Sequence, residues 1–213
     1  KMKKNIFLTH IFLFFTMTGL FGHPHMFMES SLEFIWNKEK LSGVYVEWIF
    51  DQFFSADIIN AWDENFDGKF NKTETQNVYN NAFINLQHYY YFTFIRQQST
   101  RYNPEKTHDF SVWQNNGIMH YKFYVDLSSF KEEEIFIAIY DYTFFCDIAY
   151  SKTDPVKLTY DPKYVKPKFS IIENKDYPVY YNPMGAIDDT TIYYEYKKGL
   201  QTYYPKEIKI FYE

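Results

Sequence analysis

The sequence predicts an α+β chain, a β-rich antiparallel sheet or sandwich with an EF-hand-like helix–loop–helix inserted near its N-terminus. Three observations predict it. Apolar residues alternate with period two over residues 26–36 and 41–51. The spacing then becomes helical from Gln52 to about Leu86, and a twelve-residue segment rich in side-chain oxygens, Asp63–Glu74, interrupts that helical stretch.

The chain opens with a leader-like segment. Lys1, Lys3 and Lys4 precede the apolar run Ile6–Phe21, and Gly19 and Gly22 are small residues where a signal peptidase cuts. The run is shorter than the ~20 residues a spanning helix needs. The expectation is a signal peptide over residues 1–22, cleaved after Gly22, with an uncleaved anchor as the competing reading. Residues 23–213 are then one β-rich extracytoplasmic or periplasmic domain.

Within that domain, Met26, Met28, Leu32, Phe34 and Trp36 share one parity of a half-buried strand, and Val44, Val46, Trp48 and Phe50 share one parity of the next. Asn37–Lys40 is the turn between them, so the pair reads as a hairpin. Phe54, Ile58, Ile59 and Trp62 form a helical stripe for which Ser55 is the expected N-cap, and Val78, Ala82, Phe83 and Leu86 form a second. The insertion therefore spans about residues 52–87. Strands are expected over Tyr89–Arg96, Phe110–Gln114, Ile118–Leu127 and Glu134–Tyr142, with Asn115-Asn116-Gly117 a hairpin turn. From about residue 155 to 213 prolines punctuate a Tyr- and Lys-rich extension. It carries short strands such as Thr191–Tyr196 and Glu207–Tyr212 and is expected to extend the same sheet.

Composition excludes some partners. The formal net charge is −5, and losing the three leading lysines makes it more negative, so there is no electrostatic footprint for nucleic acid. Cys146 is the single cysteine, which rules out an intrachain disulfide, and its apolar neighbours point to a buried thiol. GxSxG, HExxH and Cys–His nucleophile patterns are absent from the sequence, and no enzyme activity is expected.

Two segments carry metal chemistry. In Asp63–Glu74, Asp63, Asn65 and Asp67 fall on positions 1, 3 and 5 of a calcium loop, and Gly68 sits at the sharp turn. Lys69 offers its carbonyl, Asn71 ligates directly or through water, and Glu74 closes the shell with both oxygens. Ca²⁺ is the expected ion, in the role of a structural staple. The second segment is His23-Pro24-His25, two imidazoles two residues apart that suit Zn²⁺, Ni²⁺ or Cu²⁺. Pairing Trp36 with Leu41 across the hairpin puts Asp51 opposite Met26, beside His25. Glu29 shares parity with His25, and His120 is a further candidate to complete the shell.

His23-Pro24-His25-Met26-Phe27 after a signal peptide, followed by Trp48–Ser55, the Asp63–Glu74 loop, Tyr91–Arg96 and Ile139–Phe145, resembles one family. It is the ZevA-like family of periplasmic domain-of-unknown-function proteins. The likeness covers about residues 23–150, with Glu29 where that family usually has Asp and Gln52 in place of a common Glu. The resemblance implies a periplasmic component of a zinc transport system, found beside NicO-type nickel/cobalt permeases. The expected function is thus a metal-binding accessory protein that passes Zn²⁺, or Ni²⁺/Co²⁺, to an inner-membrane permease. Two alternatives remain: a calcium-stapled interaction module with no transport role, or a copper oxidoreductase in which a terminal His23 braces the metal with His120 as third nitrogen.

Overall fold

The alternating segments fold as the hairpin β1 (Met26–Asn37) and β2 (Lys40–Phe50), whose inward residues Leu32, Phe34, Val44, Val46 and Trp48 are all fully buried. This is a computed structural model, and it describes residues 22–130, 134–186 and 188–212. The leader expected over residues 1–22 lies almost wholly outside them. Among the described residues no helix is long and apolar enough to cross a membrane.

After β2 come helix α1 (Gln52–Trp62), helix α2 (Lys72–Asn81) and a 3₁₀ segment, Phe83–Phe92. The chain continues through β3 (Thr93–Gln97), β4 (Thr100–Tyr102), β5 (His108–Asn115), β6 (Ile118–Asp126) and β7 (Glu134–Ile139). Then follow β8 (Cys146–Tyr150), β9 (Val156–Thr159), β10 (Lys168–Glu173), β11 (Val179–Tyr181), β12 (Gln201–Tyr203) and β13 (Lys206–Phe211). The architecture is β-rich and largely antiparallel.

One sheet has the order β5-β6-β2-β1-β8 with β9 also on β1, and a second has the order β10-β13-β7-β3-β4. Their inner faces share one core, with Phe34, Val46 and Phe123 from the first sheet and Ile95, Ile137 and Ile208 from the second. Apolar burial of this kind, ~25 cal/mol per Å², is what holds two sheets face to face. The hairpin β11–β12 covers the outer side of the second sheet, where Phe94, Ala138 and Tyr140 pack with Phe144 and Val179.

The fold departs from the sequence reading in four places. The strand expected over Tyr89–Arg96 begins only at Thr93, because Tyr90, Tyr91 and Phe92 adopt φ of 56°, 49° and 50° and turn the chain first. The first sheet is mixed rather than wholly antiparallel, since β8 and β9 run parallel to β1, end to end along its free edge. Of the C-terminal segment only β9 extends that sheet. Instead β13 lies inside the second one, between β10 and β7. The strand expected over Thr191–Tyr196 is reduced to an isolated bridge between Tyr180 and Tyr193.

The turn between β5 and β6 follows the sequence. Asn116 and Gly117, at φ 51° and 79°, form the two-residue link between β5 and β6. Asn is one of the few side chains that tolerate that region, and Gly has no Cβ to clash there.

Candidate metal centre

His23 and His25 lie just before β1, held by the bond from the His25 N–H to the Phe145 carbonyl at 2.8 Å. Their rings meet edge to face with centroids 4.7 Å apart, and the Phe145 ring packs 5.1 Å from that of His25. His23 is only 4% exposed. His23 Nδ1 and His25 Nε2 are both buried and have no hydrogen-bond partner. Buried polar nitrogens are normally satisfied, and the two orphans on adjoining rings make this the candidate site.

A carboxylate that the sequence reading missed stands behind His23. A Cβ on Gly185 would fall 2.7 Å from His23 Nε2 and 2.8 Å from Asp189 Oδ2, so both groups border the space that glycine leaves open. Asp189 is held below the usual carboxylate range by hydrogen bonds from Thr191, first from its side chain and then its backbone, with the nearby His23 adding to the effect. The only trace of this in the sequence is the acidic pair Asp188-Asp189. No local pattern ties it to residue 23.

The other expected ligands lie elsewhere. Trp36 does pair with Leu41, but an irregularity between Ile35 and Trp36 shifts the rest of the hairpin by one residue, so Met28 faces Phe50. Asp51 therefore lies beyond Phe27 rather than beside His25. Its Oδ2 accepts from the Phe27 N–H at 3.1 Å, and its Oδ1 accepts from the N–H groups of Phe53 and Phe54 at 2.8 and 2.9 Å. Asp51 is the N-cap of α1, and its lone pairs are spent on the backbone. Ser55, the expected N-cap, is instead buried against β6, where its Oγ accepts from the Met119 N–H at 2.9 Å.

Glu29 and His120 are both register partners of Ile49. Their row is four residues beyond His25, about 13 Å along the strand. His120 Nδ1 is 3.0 Å from Glu47 Oε1, and its ring stacks on Trp113. It does not join His23 and His25, so the third nitrogen of a copper brace is not supplied from there.

The loop between α1 and α2 has a different character. Asp63 caps the end of α1 with its oxygens turned inward, Oδ2 accepting from the Gly68 N–H at 2.9 Å and Oδ1 from the Asp67 N–H at 3.2 Å. Gly68 has φ +73°, which allows the sharp turn. Glu74 Oε1 accepts from the Glu64 N–H at 3.1 Å and its Oε2 from the Asn71 N–H at 2.8 Å. Asn71 Oδ1 in turn receives the N–H groups of Thr73 and Glu74, completing a capping box. The Gln114 amide donates to the Gly68 carbonyl at 2.6 Å and ties the loop to the β5–β6 hairpin.

Asp63 and Glu74 are 3% and 1% exposed. Among the described residues neither is ion-paired with Lys, Arg or His. Two buried carboxylates at opposite ends of one loop, without a cationic side chain, are costly unless an ion neutralises them. Among the described residues no three His, Cys, Asp or Glu side chains form a group able to hold a metal by themselves. In the loop the remaining oxygens would have to come from Asn65, Asp67, Asn71 and the Lys69 carbonyl, which is the mixed donor set of a hard-cation site.

Comparison with known proteins agrees with the extent of this fold. The family model described as "Protein of unknown function (DUF1007)" matches residues 8–212, so it takes in the C-terminal strands as well as the histidine segment. A protein of Spirochaeta aurantia, described as an uncharacterized 15.5 kDa protein in the trpE 3' region, is 31% identical over 98 residues. The match covers 45% of this chain and 70% of that protein. No solved structure matches. With a family model matching residues 8–212, the chain belongs to the DUF1007 family.

Proposed function

We propose that this protein is an extracytoplasmic, periplasmic metal-binding accessory protein of a transition-metal transport system. It carries Zn²⁺ as cargo, with Ni²⁺ or Co²⁺ as the alternatives, and is not an enzyme. The observation that supports this best is the pair of buried, unpartnered nitrogens, His23 Nδ1 and His25 Nε2. Imidazole nitrogen suits these borderline ions.

The chemistry proposed for each group follows from its surroundings. Asp189, close enough for its charge to be felt at His23, adds a negative charge beside the site that favours a bound cation. His25 ligates through Nε2. Two protein nitrogens leave other positions of the ion to water or to a partner's ligand, as a cargo site that must release its ion requires. Asp51 serves as a positioning residue, since its bond to the Phe27 N–H holds β1 two residues beyond His25. The ZevA-like resemblance supplies the partner, a NicO-type permease of the inner membrane, and export by a cleaved signal peptide.

In this reading the EF-hand-like loop holds Ca²⁺ through Asp63, Asn65, Asp67, the Lys69 carbonyl, Asn71 (by way of water, since its oxygen caps α2) and Glu74. Bound there, Ca²⁺ neutralises two buried carboxylates and staples α1 to α2.

The test is a zinc titration of the purified chain in excess calcium. Wild type should bind in the micromolar range or tighter, the His23→Ala/His25→Ala double variant should not, and Asp189→Asn should weaken binding by removing a nearby negative charge. Affinity should fall on acidification, because only neutral imidazole ligates. Equal binding by wild type and the double variant removes the cargo site, and the calcium-stapled interaction module becomes the better account.

A further inference from the structure

The outer side of the second sheet carries an open cleft of about 560 Å³, bounded by β3, β4, the chain just after β7 and the segment around β11. Its walls are mostly aromatic. Phe94 and Tyr140 stack with ring centroids 4.1 Å apart. Tyr90 and Tyr194 also line the cleft and are 42% and 88% exposed. Accessible ring faces favour a flat partner laid against them in offset or edge contact.

Charge narrows the occupant. Arg101 of β4 is the single Lys, Arg or His among the lining residues. Its guanidinium lies over the Tyr177 ring at 4.3 Å from the centroid and over the Phe94 ring at 5.2 Å. Its Nη2 donates to the Tyr140 hydroxyl. Two rings and a hydroxyl thus position the fork, while Arg101 stays exposed to solvent. Fixing a long side chain in advance lowers the ordering cost that a ligand would otherwise meet.

The fork lacks its usual partner. Among the described residues Arg101 is in no ion pair, whereas Arg96, the chain's other arginine, holds Glu207. A planar guanidinium matches a carboxylate with two parallel hydrogen bonds. Asp176 also lines the cleft and, among the described residues, is likewise unpaired. Its charge opposes any ligand that brings a second negative charge, a phosphate monoester included.

We propose that this cleft binds a small monocarboxylate, its carboxylate held by Arg101 and its flat unsaturated ring stacked on the tyrosine faces. The proposal is independent of the zinc reading, because neither His23 nor His25 lines the cleft. Three probes test it on the purified chain by calorimetry: 2-naphthoate, neutral 2-naphthamide and the non-aromatic cyclohexanecarboxylate. 2-Naphthoate should bind at submillimolar concentration. 2-Naphthamide should bind about tenfold more weakly or worse, since it lacks the charge-assisted bonds, and cyclohexanecarboxylate should also bind more weakly. Arg101→Gln should remove the preference for naphthoate over naphthamide, and Arg101→Lys should keep part of it. Tyr194→Ala should weaken both naphthyl probes alike, and Asp176→Asn should tighten naphthoate. Both of these changes fall on exposed residues, so they read the site even where Arg101→Gln fails to fold. The proposal is overturned if neither naphthyl probe binds at millimolar concentration, if naphthoate and naphthamide bind wild type equally, if cyclohexanecarboxylate matches naphthoate, if folded Arg101→Gln keeps the preference, or if Asp176→Asn weakens naphthoate.

Discussion

Arg96 and Glu207 meet through two parallel hydrogen bonds, Nε to Oε1 at 2.9 Å and Nη2 to Oε2 at 2.7 Å. Arg96 is on β3 and Glu207 on β13, and β7 runs between those strands. The guanidinium also lies 3.7 Å over the Phe136 ring of β7, and the Asn174 amide donates to Glu207 Oε2 at 2.9 Å. The pair thus clamps three strands of the second sheet.

Breaking the clamp from one side should be costly, since the partner charge stays behind, with the side chains only 15% and 7% exposed. Glu207→Ala is expected to lower unfolding stability by about 3–5 kcal/mol. The double change Arg96→Met/Glu207→Leu should recover most of that loss. Urea denaturation of the three proteins decides it, and a single-variant cost below about 1 kcal/mol would show that the pair is screened like a surface contact.

Ser55 is a hinge-pin between α1 and β6. Ser55→Ala strips the Met119 N–H of the Ser55 Oγ acceptor in a fully buried place, and should cost about 1–3 kcal/mol. Amide exchange at Met119 should quicken in the variant more than at the neighbouring β6 amides. Equal protection at Met119 in both proteins would mean that another acceptor takes over.

The loop predicts a calcium-dependent melting temperature. With calcium at ten times Kd the wild type should gain about 1.4 kcal/mol, and chelator should remove it. Asp63→Ala and Glu74→Ala should each melt at a temperature indifferent to calcium or chelator. A wild-type melting curve that ignores chelator would exclude Ca²⁺ as the staple.

Glu33 gives the acid limb of stability. Hydrogen bonding to Lys157 is the main cause holding its carboxyl below 4.5, with Thr159 and the charge of Lys122 helping and partial burial opposing. A depressed folded value means that its contribution is complete above about 4.5 and fades as pH falls through the lower folded value. Glu33→Gln should therefore flatten the loss of stability as pH falls below about 4.5, while leaving the protein able to fold at neutral pH. An unchanged acid limb in the variant would show that other carboxylates dominate it.

How much of this was legible in the chain depends on the range of the interaction. The β1–β2 hairpin, the β5–β6 turn and the helix–loop–helix between β2 and β3 could be read because period-two burial, Asn-Gly geometry and ring-like oxygen spacing are written within a dozen residues of each other. The likeness to a periplasmic family had the same basis. It placed the chain among domain-of-unknown-function proteins, and the family match over residues 8–212 supports that at the coarser level.

What the sequence by itself determined, then, was the β-rich class, the loop and the two histidines as candidate ligands. Tertiary structure decided what surrounds them. One irregularity in the first hairpin moved Asp51 by a single residue, from His25's side to the cap of α1, and a register slip of one residue reverses which face a side chain serves. Asp189 comes near His23 only because the chain returns past Gly185, where a missing Cβ leaves room between them. Arg101 lies over the Tyr177 ring only because the segment leading into β11 packs on the outer side of the second sheet. Periodicity reports which face of an element is buried, but the partner on that face is set by packing between segments far apart in the chain. That information exists only once both sheets have closed on a common core.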